Sequence, residues 1–213
     1  MIQSSQIHAK VNQAQIGEKL ELGDSEWRVL KREDDRLLLL SEHVVDIRPF
    51  HDKKPGEITW EKCSLREWLN GWFYDNLPSE LQNIVLSTEL NNLAYLGAEV
   101  DNAFFQSYAK STIDFPDHQK QDKSSVVDKV FLLSAADASN LEFFADNEAR
   151  VAKNSDGDPV VWWLRSPGVP CTRAAVVWSN GEADFEGLSL GIAAYSNDIG
   201  VRPAIWVNAL VER

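Results

Sequence analysis

Residues 160–168 read Val-Val-Trp-Trp-Leu-Arg-Ser-Pro-Gly, and this stretch restricts the fold more than any other. In an extended chain, Val160, Trp162 and Leu164 point one way and Val161, Trp163 and Arg165 the other. Both sides then carry large apolar groups, which predicts a central strand covered on two faces. Arg165 falls on one of those faces, next to Trp163. A guanidinium there needs a carboxylate or an aromatic ring, because an isolated buried charge is strongly unfavourable. Glu67 and Asp128 are the candidate carboxylates, and the expected role of Arg165 is architectural. Pro167 removes a ladder donor and Gly168 permits a turn, so the strand ends there.

The rest of the chain supplies the layers such a strand requires. Leu20 and Leu22 alternate with polar residues, Gly23-Asp24 turns, and Trp27–Leu30 and Leu37–Leu40 follow as two further strands. The four consecutive leucines predict burial on both faces. Ser64 with Glu67 reads as a capping box. Leu65, Trp68, Leu69, Trp72 and Phe73 then form one wide apolar helical stripe, expected in the core. A short helix follows Pro78-Ser79. Val130–Leu133 predicts a strand, and Ser134 caps a helix with Asp137 at its third position, ending at Phe143 and Phe144. Beyond Asp158 the pattern is short strands separated by Gly, Ser, Asn and Asp. Residues 1–16 read as a polar lead-in and 17–213 as one α+β domain, with two or three helices packed on short mixed and antiparallel strands. The length of 213 residues is ample for such a core.

Charge narrows the partners. The formal net charge is −12, with 33 acidic against 21 basic residues. Nucleic acid and anionic membrane surfaces need clustered Lys and Arg, so neither is an expected partner. No run has the length of a transmembrane helix, which argues against membrane insertion. The first residues show no charged region followed by an apolar one, so no signal peptide is visible. Cys63 and Cys171 are too few for a disulfide scaffold and lack metal-ligand spacing; two free thiols are expected, with a single bridge as the alternative. No cofactor is expected.

The residue types offer three chemistries. Glu182, Asp184 and Glu186 alternate in Asn-Gly-Glu-Ala-Asp-Phe-Glu-Gly; on one strand face they would crowd and could hold a cation or serve a metal-dependent hydrolase. In a hairpin begun at Asn180-Gly181 they are a solvated face. Asp156 and Asp158 flank Gly157 without EF-hand spacing and read as a turn. Ser166 lacks a nucleophile elbow, and none of the histidines sits in a triad context. Binding is the third. Trp178, Ser179, Asn180, Tyr195, Ser196, Asn197 and Asp198 fall in loops between the late strands. Rigid amphipathic rings beside adaptable polar groups suit recognition. Thr172 and Arg173 open this segment, and with Glu182 and Asp184 they complete an expected ligand face over residues 169–198.

Four ordered motifs, Thr-Trp-Glu-Lys-Cys-Ser-Leu-Arg-Glu-Trp-Leu-Asn-Gly-Trp-Phe-Tyr (59–74), Asp-Lys-Val-Phe-Leu-Leu-Ser (128–134), Trp-Trp-Leu-Arg-Ser-Pro-Gly and Gly-Val-Arg-Pro-Ala-Ile-Trp-Val (200–207), resemble a bacterial domain family of unknown function across residues 17–208. That family is similar in layout to C-type-lectin-like domains, including those of the formylglycine-generating enzyme, and to variable proteins of diversity-generating retroelements. The resemblance implies a C-type-lectin-like scaffold displaying a ligand face in its late segment. The calcium and sugar motifs of true C-type lectins are absent, as is the enzyme's cysteine pair. The resemblance therefore implies a non-enzymatic module that recognises protein or carbohydrate.

Overall fold

Leu20 and Leu22 are buried and their neighbours exposed, as the alternation predicts, in β1 (Lys19–Leu22). This strand pairs antiparallel with β2 (Ser25–Glu33), which pairs in turn with β3 (Arg36–Ser41). The β2–β3 register slips between Val29 and Lys31. The bulge lets Val29 and the adjacent Leu30 both face the core, which strict alternation would forbid. Leu37–Leu40 are all buried, so β3 is covered on both faces. The computed structural model describes residues 4–53, 58–92, 124–168, 172–183 and 192–209.

The fold is mixed α+β, with strands dominant. One five-stranded sheet has the order β1-β2-β3-β14-β7, where β14 is Ala204–Asn208 and β7 is Val130–Phe131. A second has the order β12-β11-β10-β13-β4. Its strands are β4 (Asp46–Ile47), β10 (Trp162–Pro167), β11 (Arg173–Val177), β12 (Ile192–Ala193) and β13 (Gly200–Val201). The Trp-Trp strand is therefore central, and both indoles are fully buried.

Between β13 and β14 the chain crosses from the second sheet to the first through Arg202-Pro203. Arg202 is completely buried. Its Nε donates to Ser41 O at 2.8 Å, its Nη1 to Arg150 O at 3.1 Å, and its guanidinium lies 5.1 Å from the Trp162 ring. Burial pulls its pKa down to about 9, against the attraction of Glu42, so it stays charged at neutral pH and ties both sheets together.

Arg165 is a pin as expected, but its partner is neither Glu67 nor Asp128. Its Nη1 donates to Asp137 Oδ2 at 2.9 Å and to Leu132 O at 3.3 Å. Asp137 also closes a capping box with Ser134 on the helix Ala135–Ser139, which ends before Phe143 and Phe144. Asp128, at the end of β6 (Ser124–Asp128), is occupied elsewhere: Trp60 Nε1 donates to its Oδ2 at 2.8 Å and Arg66 Nε to its Oδ1 at 2.8 Å. Ser166 is buried and its Oγ accepts from Ala135 N at 2.9 Å.

Within the polar lead-in, residues 4–13 form a helix, α1, followed by buried Ala14; Arg32 donates to Ala14 O and Asn12 O and holds its end. Two local expectations are overturned. The Ser64–Glu67 capping box does not form. Cys63 is the cap of α2 (Ser64–Trp68), its Sγ accepting from Arg66 N, while Ser64 Oγ accepts from Asp52 N. The apolar stripe splits because α2 runs into a π turn, Leu69–Phe73. The wider turn keeps residues four apart aligned, so Leu65, Leu69 and Phe73 are buried. Trp72 rotates off the stripe and is 60 % exposed, and Trp68 is only half-buried.

Candidate functional site

The late segment divides into two turns. The first follows β11: Trp178 N donates to Glu182 O and Gly181 N to Trp178 O, each at 2.8 Å, and Ala183 bridges back to Val177. Asn180 Oδ1 accepts from Glu182 N at 3.0 Å. A turn therefore forms at Asn180-Gly181, closed by the Val177–Ala183 bridge. Gly181 is required twice. Its φ is +80°, and a Cβ there would lie 1.7 Å from Asn147 O. The turn thus seats directly on the one-turn helix Asn147–Arg150, which Asp146 caps by accepting from Ala149 N.

Arg150 fixes the junction. Its Nε donates to Gly181 O at 2.9 Å, its Nη1 to Ala138 O at 3.3 Å, and its Nη2 to Asn147 Oδ1. Burial draws its pKa down, with Asp146 opposing. Beside it opens a cleft of about 240 Å³, lined by Ser139, Leu141, Asn147, Arg150, Glu182 and Ala183. Leu141 is 73 % exposed. The cleft brings an apolar side chain beside a carboxylate, an amide and an immobilised guanidinium.

The second turn lies at the other end of β11. Ala194 N donates to Thr172 O and Ser196 N to Ala193 O. Tyr195, Asn197 and Asp198 are exposed, Ser196, Thr172 and Arg173 half-buried. Five strand residues separate the two turns, which is about 16 Å at the usual rise per residue. The residues expected on one ligand face are therefore placed in two groups, Trp178, Ser179, Asn180 and Glu182 in one and Thr172, Arg173 and Tyr195–Asp198 in the other. Trp178 is half-buried and packs against the core, while Ser179, Asn180 and Glu182 are exposed. Asp184, Glu186 and Cys171 lie outside the described residues. Among the described residues no group of three or more His, Cys, Asp or Glu is placed to hold a metal ion. Asp156 and Asp158 form the expected turn, both backbone N–H groups donating to Asn154 Oδ1.

Segment 46–51 borders the second turn through Arg48 N to Ile199 O and His51 N to Ala194 O. The Arg48 guanidinium sits 3.8 Å from the Trp68 ring centroid and donates through Nε and Nη2 to Asp46 Oδ2. Trp72 stacks on the same Trp68, centroids 5.6 Å apart and planes 16° from parallel.

A family model described as a domain of unknown function, DUF6273, matches residues 34–209. The chain belongs to the DUF6273 family. The matched span of this DUF6273 chain contains both turns, the cleft and the Trp68–Trp72 pair, while α1, β1 and β2 precede it. No curated protein and no solved structure matches the chain. Among the described residues no helix is long and apolar enough to cross a membrane.

The composition-led reading missed Arg150, Asn147 and Leu141. Asp146-Asn-Glu-Ala149 carried a usable signal, an N-cap type three residues before the N–H it binds. Nothing local announced Leu141, because a single leucine in a loop is ordinary.

Proposed function

We propose that this DUF6273 protein is a non-enzymatic ligand-binding module on a C-type-lectin-like scaffold, recognising protein or carbohydrate through its late segment. The cleft beside the Trp178–Glu182 turn carries the reading. It is lined by Arg150, held by three hydrogen bonds, and by Glu182, Asn147 and exposed Leu141. A guanidinium already fixed in place loses little freedom when a ligand arrives, which favours affinity. The turn adds exposed Ser179 and Asn180, and its backbone is set by Gly181 rather than by those side chains. Residue identity at such positions can vary without unfolding the sheet, as diversified binders require. The test is a Leu141→Ser, Glu182→Gln double variant, screened with the wild type against glycan and protein arrays. Unchanged melting temperature with loss of at least one wild-type ligand supports the cleft; equal capture of every ligand by both proteins refutes it.

A further inference from the structure

Trp162 and Trp163 point to opposite faces of β10. The first donates its indole N–H to Arg150 O beneath the cleft, the second to Arg48 O beneath the Trp68–Trp72 pair. The aromatic surface is therefore on the side of the sheet away from the cleft, and it has three features that the fold does not require.

A large indole is left 60 % exposed on a helical element that has room to bury three of its neighbours. The π turn that exposes it is an uncommon geometry, frequent at functional sites. Gly71, beside Trp72, is not in the left-handed region, and a Cβ there would meet nothing within 4 Å. A glycine inside a helical segment is less stable than alanine by roughly 0.5–1 kcal/mol. Neither backbone conformation nor packing explains it. What the missing side chain does provide is clear space next to the exposed ring.

We infer that Trp72, backed by Trp68, is a stacking platform for a pyranose ring of a neutral glycan. The C–H groups of a pyranose face carry partial positive charge and meet the negative face of the indole. Trp68 holds Trp72 in one orientation, so the platform is formed before binding. Arg48, 3.8 Å from the Trp68 centroid and held by Asp46, braces the stack. The net charge of −12 disfavours polyanions, so the sugar proposed is a neutral one.

Affinity electrophoresis tests this, in native gels containing hydroxyethyl cellulose, galactomannan or glycol chitin, with heparin as the polyanionic control. The wild type is expected to be retarded in at least one neutral gel and not by heparin. Trp72→Ala should weaken the retardation at least roughly tenfold and Trp72→Tyr should keep most of it. Gly71→Gln fits open space and favours a helix, so its melting temperature should hold or rise while retardation falls. Leu141→Ser/Glu182→Gln should migrate as wild type, which separates this site from the cleft. Absence of retardation in every neutral gel, or retardation that survives Trp72→Ala, overturns the proposal. So does loss through Trp72 of binding to an arrayed peptide while all the gels stay silent, which would make the platform a protein dock.

Discussion

Trp162 and Trp163 are adjacent in sequence and anchor opposite sides of one sheet, through Arg150 O at 3.1 Å and Arg48 O at 2.9 Å respectively. Each indole is fully buried and each N–H is satisfied, so each fixes a different layer on β10. Trp163 also meets Phe50 edge-on at 5.8 Å, which joins segment 46–51 to the core.

Truncating either ring removes a large buried volume; truncating Trp163 also takes the indole donor from Arg48 O, whereas Arg150 O keeps Arg202 Nη1 when Trp162 is lost. Trp162→Ala and Trp163→Ala are each expected to lose roughly 3–5 kcal/mol of unfolding free energy in urea titrations. Trp72→Ala, on a surface ring, should lose less than about 1 kcal/mol. Equal losses at positions 72 and 163 would contradict the placement of the π turn.

Asp128 joins β6 to α2 and the Trp60 turn. Asp128→Ala leaves the Arg66 guanidinium and the Trp60 N–H without their acceptor, and the part-exposure of Arg66 moderates the effect. A loss of roughly 2–4 kcal/mol is expected by denaturant titration. Asp128→Asn should lose less, because one acceptor oxygen remains.

The outline of the fold was legible in the sequence where period and burial agree. Leu37–Leu40 and Trp162–Leu164 are two-sided strands as their patterns predict, but Val160 falls in a separate short strand, Pro159–Val160, paired with Ala152–Lys153. The helix expected over 64–73 departs from its pattern for a physical reason. An i, i+3, i+4 stripe presumes an unbroken α-helix, and a π turn at Leu69–Phe73 changes the angle per residue. The site was less legible still. Trp178 and Tyr195 look alike as loop residues, and only the β11–β12 register reveals that they flank opposite ends of one strand.

Acid should weaken the fold through Glu42. Burial pushes its carboxyl up, but the hydrogen bond and charge of Arg28, with Lys19 and Arg202, outweigh that and hold it below the usual range. A group with a depressed folded pKa stabilises above its unfolded value and loses that contribution as pH falls through the folded one. Melting temperature should therefore decline as pH drops below the ordinary carboxylate range. Glu42→Gln should be less stable at neutral pH and show a shallower acid decline. A variant with an acid limb as steep as the wild type would remove Glu42 from the account.

Burial pushes the Cys63 thiol up to about 12, and its Sγ donates to Trp60 O at 3.3 Å. Iodoacetamide at pH 8 should leave Cys63 unmodified in the native protein and alkylate it in denaturant, read by peptide mass spectrometry. Native labelling at a rate matching a free peptide would show that this segment opens.

The central claim is a ligand cleft that the fold holds ready beside the Trp178–Glu182 turn. Its most direct measurement pairs melting temperature with ligand capture on glycan and protein arrays, for the wild type and for Leu141→Ser/Glu182→Gln. The account predicts melting temperatures equal within about 2 °C, since both side chains are exposed, and at least a roughly tenfold loss of at least one captured ligand in the variant. Undiminished capture of every ligand by the variant, or no capture by the wild type, would contradict it.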